Sequence, residues 1–126
     1  MIDGPSGSGK STVASRIGKK FSMSVLFSGL LYRYAAKKIL DKKPRSKYYF
    51  IKKIFKKVNY KRLRKLNLHS AKISSYTSEI AKDKRVRDII TNQFQKSYVK
   101  KYKRVVIEGR DGAKIFPEAD LKFYIV

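Results

Sequence analysis

A short segment near the start of the chain has residue types and spacing suited to binding phosphate. Residues 4–11, Gly-Pro-Ser-Gly-Ser-Gly-Lys-Ser, match the pattern G-x-x-x-x-G-K-[ST], in which glycines let consecutive backbone N–H groups converge on an anion. The pattern predicts that Lys10 reaches the β and γ phosphates of ATP and that the Ser11 hydroxyl binds Mg²⁺. The residues expected to hold the nucleotide are Gly4, Pro5, Ser6, Gly7, Ser8, Gly9, Lys10, Ser11 and Thr12.

A glycine- and serine-rich turn can also precede a lysine by chance, so the flanking sequence decides how this motif is interpreted. A short apolar stretch ending at Asp3 precedes the loop, as expected for the end of a buried strand. Apolar residues with a helical period follow it, namely Val13, Ala14, Ile17 and Phe21. This context favours a nucleotide-binding loop. Kinases, ATPases and GTPases share such loops, so the motif does not identify the reaction.

A carboxylate and a guanidinium follow a second apolar stretch. Residues 105–107 predict a buried strand that ends at Glu108, the edge at which open α/β sheets bind ligands. Glu108 is therefore a candidate partner of Mg²⁺, directly or through water, although an exposed turn acid is the alternative. Arg110 and Asp111 come next, and the planar guanidinium of Arg110 can donate two parallel hydrogen bonds to an acceptor phosphate.

A second set of polar residues lies within residues 28–33, Ser-Gly-Leu-Leu-Tyr-Arg. Ser28 follows a predicted strand, and Gly29 is expected to form a turn before a helix that carries Tyr32 and Arg33 in its first turn. Arg33 could hold a phosphate. Equally, Tyr32 could pack in the core while Arg33 faces water, and the spacing leaves both interpretations open.

The elements that have to position these residues alternate between strand and helix at both ends of the chain. This order predicts an α/β fold with a parallel sheet of the P-loop type and flanking helices. Strands are expected before the loop and over residues 24–27, 105–107 and 123–126, the last two as central strands buried on both faces.

The middle of the chain, about residues 36–100, is predicted to be a mostly helical insertion. A helix from about Leu30 is expected to end before Pro44, and another is expected around residues 50–58. Ser70 and Asp83 are expected to cap two further helices, the second of which extends to Phe94. Residues 63–68 fit a strand or a helix equally well and are left unassigned.

The net charge of +23 arises from 32 basic and 9 acidic residues. Such an excess could indicate a nucleic-acid partner. However, pairs such as Lys52-Lys53 and Lys56-Lys57 alternate with apolar residues at helical spacing, which is typical of solvated helix faces, and a lysine-rich composition also arises from an AT-rich genome. We therefore expect no nucleic-acid partner.

Several other classes of protein are excluded or disfavoured by composition. The chain has no cysteine, which excludes disulfides and thiolate metal sites. It has no apolar run of about 18 residues and does not begin with a basic segment followed by an apolar one. We expect a monomeric cytoplasmic protein without a membrane partner.

Five short motifs together resemble those of the bacterial cytidylate (CMP/dCMP) kinases. They occur in the order found in that family: residues 2–10, residues 28–33, Val86-Arg87, residues 109–111 and Phe116-Pro117. The resemblance implies a P-loop kinase fold whose helical insertion binds a nucleoside monophosphate, and it implies that ATP phosphorylates CMP or dCMP with Mg²⁺ as cofactor.

The resemblance also implies roles for individual residues. Lys10, Arg33 and Arg110 would be the catalytic residues, the two arginines on the acceptor phosphate. Ser28 would lie near the acceptor sugar, and Tyr32 would also contact the acceptor. The residues implied around the cytosine are Ser78, Arg87 and Asp111.

The sequence also departs from the family. Phe27 stands where Asp is usual, residues 68–70 read Leu-His-Ser where Ile-Arg-Thr is expected, and residues 112–115 are one residue short. The resemblance covers all of residues 1–126 but only about the first half of a complete kinase, so we expect a partial domain without the start of its first strand and its C-terminal part. The resemblance implies that complete kinases of this family continue beyond residue 126 into a lid that carries arginines. Such an arginine can raise the rate of phosphoryl transfer by roughly 10³ to 10⁵, so we expect little or no transfer activity from this chain alone.

Two other functions remain open from the sequence. The departures in the acceptor region allow a P-loop kinase for another small acceptor. The charge allows a basic nucleic-acid-binding protein that retains a nucleotide-binding loop.

Overall fold

The computed structural model describes all 126 residues, which divide into two compact units. We call residues 1–29 together with 99–126 the sheet unit, and residues 30–98 the helical unit. The sheet unit contains every strand, and the helical unit contains none.

Four strands and eight α-helices form the chain. The strands are β1 (Ile2–Asp3), β2 (Ser24–Phe27), β3 (Val105–Gly109) and β4 (Phe123–Tyr124). The helices are α1 (Lys10–Lys20), α2 (Ser28–Lys42), α3 (Lys47–Lys56), α4 (Tyr60–Leu63), α5 (Ala71–Ala81), α6 (Lys84–Ile90), α7 (Lys96–Lys101) and α8 (Gly112–Ile115), with a π-helix (Thr91–Gln95) between α6 and α7. No helix combines the length and the apolar character needed to cross a membrane.

The four strands form one sheet in the order β2-β3-β1-β4, and every pairing is parallel. This confirms the predicted α/β class with a parallel sheet and flanking helices. Glu108 pairs with Phe27 on one side and Ile2 on the other, and Asp3 pairs with Gly109. The carboxyl ends of β1, β2 and β3 therefore meet at one edge of the sheet, where parallel α/β sheets bind ligands.

Helix α1 contacts the sheet through small residues. Ala14 and Gly18 are buried, and a Cβ atom on Gly18 would lie 2.3 Å from Cγ2 of Val25. Only glycine therefore allows this approach of the helix to β2. The predicted apolar face of α1 is only partly buried, because Val13 and Phe21 remain 38% and 49% exposed.

The last strand differs from the prediction of a buried central strand over residues 123–126. β4 contains only Phe123 and Tyr124, lies at the edge of the sheet and pairs only with β1. The two side chains are 53% and 66% exposed, and Val126 is 99% exposed. Aromatic and β-branched residues indicate that a segment can form a strand, but they do not determine whether a neighbouring element covers it.

The predicted turn at Ser28 and Gly29 is also wrong, because α2 begins at Ser28 directly after β2. Glycine disfavours a helix interior. In the first turn the backbone N–H groups need no partner within the helix, so glycine is tolerated there. The consequence is that Ser28 occupies a helix start at the carboxyl edge of the sheet.

Side-chain caps define the helix starts of the helical unit. Ser70 accepts a hydrogen bond from the backbone N–H of Ile73, and Asp83 accepts one from that of Arg85, so both predicted caps are confirmed. The unassigned segment contains the end of α4, which stops at Leu63, while Leu68 is fully buried without belonging to a helix or strand.

Five aromatic rings form a contiguous cluster in the helical unit, and two of them, those of Phe55 and Tyr60, are buried. Phe94 contacts three other rings with centroid distances of 5.9–6.1 Å. The rings of the cluster belong to Tyr34, Phe55, Tyr60, Phe94 and Tyr98. Phe94 was expected on the helix that starts at Asp83, but it lies in the π-helix that follows α6. A π-helical turn changes the rotation per residue, and an apolar period in the sequence does not reveal it.

Asp83 joins the start of α6 to α3. The Tyr48 hydroxyl donates to Oδ2 of Asp83 over 2.6 Å, and Nζ of Lys47 lies 3.3 Å from the same oxygen. The Arg85 guanidinium stacks 4.0 Å above the Tyr48 ring. The hydrogen bond from Tyr48, aided by the Arg85 backbone N–H and Lys47, lowers the pKa of Asp83 below its ordinary value of 3.8.

This contact predicts a pH-dependent contribution to stability. A carboxyl group whose pKa is lower in the folded state stabilises the fold above its unfolded pKa, and that contribution is lost as pH falls through the folded pKa. We expect Asp83→Asn, which keeps a good helix cap, to lower the melting temperature at neutral pH. The difference from the wild type should shrink as the pH falls below the unfolded pKa of about 3.8 and should disappear only below the lower, folded pKa.

Thermal unfolding followed by circular dichroism between about pH 7 and pH 2.5 measures this convergence. Asp88→Asn is the control, because the Lys84–Asp88 pair is an exposed pair of the i,i+4 type that contributes little. A difference between Asp83→Asn and wild type that stays constant with pH would contradict the prediction.

Candidate nucleotide-binding site

The loop from Gly4 to Gly9 has the backbone conformation that anion binding requires. Gly7 and Gly9 adopt φ angles of +76° and +87°, and no atom lies within 4 Å of a Cβ built on either residue. Left-handed residues in such a loop turn successive N–H groups toward one concave side. Gly9 is also the N-cap of α1, so the positive end of that helix dipole adds to the same site.

Lys10 is the first residue of α1 and makes two contacts in the sheet unit. Its Nζ atom lies 3.4 Å from Oε1 of Glu108 and donates to the carbonyl oxygen of Pro5 over 3.2 Å. The side chains of Lys10 and Glu108 are only 12% and 8% exposed. An ammonium group has three N–H donors, so Lys10 retains one for a phosphate oxygen while it keeps both contacts.

The donors beside the loop suit Mg²⁺ with a partly hydrated shell. Ser11 supplies a hydroxyl on the first turn of α1, and Glu108 supplies a carboxylate at the end of β3. No group of three or more His, Cys, Asp or Glu residues converges anywhere in the chain. Mg²⁺ in nucleotide sites takes one or two protein oxygens and completes its shell with phosphate oxygens and water, which these two residues match.

Ser8 has a buried hydroxyl with no hydrogen-bond partner. Its oxygen would lie 3.0 Å from a Cβ atom placed on Gly4, and such an atom would also lie 2.6 Å from the carbonyl oxygen of Ile125. Only glycine fits at position 4. Ser6, Ser11 and Thr12 are exposed, and Ser8 is half-buried.

Asp3 is a functional candidate that the sequence did not single out. It is 7% exposed, and its two carboxylate oxygens accept hydrogen bonds of 3.0 Å from the backbone N–H groups of Gly112 and Ala113. This contact fixes the start of α8 directly after Arg110 and Asp111. A charged residue at the end of a buried strand was the available signal, but only the fold shows which N–H groups it meets.

The other predicted residues of the sheet unit lie at the same edge. Ser28 contacts the backbone at Gly109, where a Cβ atom would lie 3.2 Å from both Cβ and Oγ of Ser28. Arg110 and Asp111 follow β3 and are exposed, and Asp111 precedes α8 without a side-chain cap hydrogen bond. The sheet unit therefore brings the loop, Lys10, Glu108, Ser28, Arg110 and Asp111 to one edge.

The remaining predicted residues, Tyr32, Arg33, Ser78 and Arg87, lie in the helical unit. Nη1 of Arg33 donates to the Leu68 carbonyl over 3.0 Å and to Oγ of Ser74 over 2.8 Å.

Nη1 of Arg87 donates to the carbonyl oxygens of Ala81 and Lys82 over 2.9 and 2.8 Å. Ser78 is exposed and donates to the Ser74 carbonyl over 3.2 Å, and Tyr32 is half-buried.

The Asp3 contact generates a prediction about stability. Asp3→Ala leaves two backbone N–H groups near α8 without their acceptors, and unsatisfied buried donors cost about 1–3 kcal/mol each. We expect the free energy of unfolding to fall by about 2 kcal/mol or more, measured by urea denaturation. Asp120→Ala, at an exposed position, is the matched control, and equal effects of the two substitutions would rule the contact out as a determinant of stability.

Comparison with known proteins identifies relatives along the whole chain. A family model described as cytidylate kinase matches residues 1–126. The cytidylate kinase of Bartonella quintana (strain Toulouse) is 32% identical over 131 residues, an alignment that covers 99% of this chain and 59% of the relative. The cytidylate kinase of Clostridioides difficile (strain 630) is 31% identical over 137 residues, which cover 99% and 62%.

A larger relative shows the same similarity within a longer protein. The bifunctional pantoate ligase/cytidylate kinase of Prochlorococcus marinus (strain MIT 9301) is 36% identical over 141 residues, covering 98% of this chain and 27% of the relative. The chain thus spans 59–62% of the length of the two single-function relatives. Since the family model matches every residue from 1 to 126, the chain belongs to the cytidylate kinase family.

Proposed function

We propose that this chain binds the two substrates of a reaction in which ATP phosphorylates CMP or dCMP. The observation that carries the proposal is the arrangement at the carboxyl edge of the sheet, where Lys10 lies between the open glycine loop and the buried Glu108. Membership of the cytidylate kinase family supports the choice of acceptor. Because the chain spans 59–62% of two relatives, the activity of the whole protein is part of this proposal.

ATP would bind along the glycine loop. Backbone N–H groups between Gly4 and Thr12 would hold the phosphates, and Lys10 would place its free donor on the β and γ phosphates. Ser11 would contact Mg²⁺ directly, and Glu108 would orient it through its shell of water. When bound, Mg²⁺ supplies positive charge that neutralises the phosphate oxygens.

CMP or dCMP would bind with its phosphate on Arg33 and Arg110. Guanidinium groups can donate two parallel hydrogen bonds to a phosphate. Ser28 would contact the sugar, Tyr32 would pack against the acceptor, and Asp111 would accept a hydrogen bond from the exocyclic amine of cytosine. The other residues proposed around the base are Ser78 and Arg87.

For phosphoryl transfer the protein has mainly to position the two substrates and to supply positive charge. In phosphoryl transfer the attacking and leaving oxygens lie roughly in line, and catalysis consists almost entirely of positioning and electrostatic stabilisation. Lys10, Arg33 and Arg110 supply the cations for this purpose. A monomeric enzyme in the cytoplasm would suit these small, diffusible substrates.

The distribution of charge in the helical unit supports nucleic-acid binding as a second candidate function. No acidic residue occurs between Asp41 and Glu79. The exposed lysines at positions 52, 53, 56 and 57 of the helical unit take part in no salt bridge. Such a surface could bind nucleic acid through its phosphates, with an affinity that falls steeply as salt rises.

Ligand-dependent stabilisation tests the proposed function. Ligands that bind only the folded state raise its stability by about 2.7 kcal/mol at 100 times Kd, which thermal unfolding detects. We expect ATP with Mg²⁺ and, separately, CMP and dCMP to raise the melting temperature more than UMP or AMP do. We expect Lys10→Met to abolish the shift with ATP but to preserve the shift with CMP.

The control is Lys19→Met, an exposed position on the same helix, and each shift is referred to the melting temperature of the same variant without ligand. A larger shift with AMP than with CMP would refute the cytidine assignment. Tight, salt-sensitive binding of an oligonucleotide, without any shift from CMP, would favour the nucleic-acid function instead.

A further inference from the structure

Two arginines of the helical unit donate hydrogen bonds to acceptors on or next to α5. Arg33 donates to Ser74 near the start of α5, and Arg87 donates to the carbonyl oxygens of Ala81 and Lys82 at its end. At a rise of about 1.5 Å per residue, the two anchor points lie about 10 Å apart along the axis.

The two anchors differ in kind. Arg87 is held by backbone carbonyls, which no substitution on α5 removes. Arg33 is held by one backbone acceptor, the Leu68 carbonyl, and by one side-chain acceptor, the Ser74 hydroxyl oxygen. Ser74 is therefore the position at which the orientation of an arginine depends on a side chain of α5.

The two hydrogen bonds of Arg33 fix the orientation of its guanidinium group and leave some of its N–H donors available. Both bonds start from Nη1, which has two N–H donors, so this nitrogen is fully used. Nη2 and Nε keep their donors. Because the guanidinium is planar and rigid, fixing Nη1 at two points fixes the plane in which the remaining donors lie. A bidentate contact with phosphate needs such a fixed plane.

The hydrogen bonds of the neighbouring serines leave the Ser74 hydroxyl available to accept from Arg33. Ser78 donates to the backbone carbonyl of Ser74, and Ser70 caps α5 through the backbone N–H of Ile73. Neither bond involves the Ser74 hydroxyl. Ser75, the next residue along α5, is exposed and its side chain makes no hydrogen bond, so only one of these two adjacent serines meets Arg33.

We propose that Ser74 is a positioning residue that orients Arg33 for the phosphate of the acceptor nucleotide. This inference rests on the proposed function, in which Arg33 binds that phosphate. Ser74 itself touches no substrate in this account. Without the Ser74 hydroxyl, Arg33 keeps only one acceptor, the Leu68 carbonyl, and its long side chain samples more rotamers. Fewer molecules then present the plane of N–H donors that the phosphate needs.

Calorimetric titration with CMP and with cytidine tests the inference, because cytidine lacks the phosphate. We expect Ser74→Ala to weaken CMP binding by about 3- to 10-fold, the range expected for losing one ordinary hydrogen bond, because the second anchor of Arg33, the Leu68 carbonyl, remains. Cytidine binding and ATP binding should change by less than about twofold. Alanine is a better helix former than serine, so this variant is expected to fold.

Two further variants separate positioning from a general change in α5. Ser74→Thr retains a hydroxyl and is expected to restore CMP affinity to near the wild-type value. Ser75→Ala alters the adjacent exposed serine and is expected to leave the affinity for CMP unchanged. The inference is overturned if Ser74→Ala binds CMP as the wild type does, if it loses cytidine and CMP affinity equally, or if Ser74→Thr is as weak as Ser74→Ala.

Failure of the proposed function would be visible in the wild type. If the unsubstituted chain binds neither CMP nor dCMP, the acceptor assignment is wrong and the role of Ser74 falls with it. If the wild type binds CMP and Arg33→Ala abolishes this binding, while Ser74→Ala has no effect, only the positioning role is wrong.

Discussion

The parallel pairing of β1 with β3 is the interaction on which the proposed nucleotide site depends. It places Asp3 opposite Gly109 and Ile2 opposite Glu108. The chain leaves β1 into the glycine loop and leaves β3 into Arg110. One pairing therefore brings the glycine loop, the buried carboxylate of Glu108 and Arg110 to the same edge. A shift of this register by one residue would turn Glu108 to the other face of the sheet and separate it from Lys10.

The two buried carboxylates at this edge, Asp3 and Glu108, have different kinds of partner. The two carboxylate oxygens of Asp3 each accept a hydrogen bond from a backbone N–H group, which fixes the start of α8. Its role is therefore structural. Glu108 contacts Lys10, the cation proposed to bind the phosphates of ATP, and holds it near the loop. Buried carboxylates are costly unless they are paired or hydrogen-bonded, and each of these two has a partner at this edge of the sheet. In the helical unit α5 has a comparable task, because Arg33 and Arg87 both donate to acceptors on it.

The sequence was a good guide where one residue type has one dominant reason to be present. Ser70 and Asp83 as caps and the strand over residues 24–27 follow from local physical chemistry, and the structure has each of them.

It was a poor guide where distant neighbours decide the outcome. The exposure of β4 depends on which strand lies beside it, and the roles of Asp3 and Ser74 depend on partners 109 and 41 residues away in the chain. The short apolar segments around Leu63 and Phe94 fit several local structures, and tertiary packing selects among them.

We propose above all that ATP binds this chain at the glycine loop. Two-dimensional NMR of the ¹⁵N-labelled chain, titrated with ATP and Mg²⁺, tests it directly because it locates binding residue by residue. We expect the amide resonances of Gly7, Gly9, Lys10 and Ser11 to shift in a saturable way. Shifts confined to exposed lysine-rich segments such as residues 52–57, with the loop resonances unchanged, would contradict it.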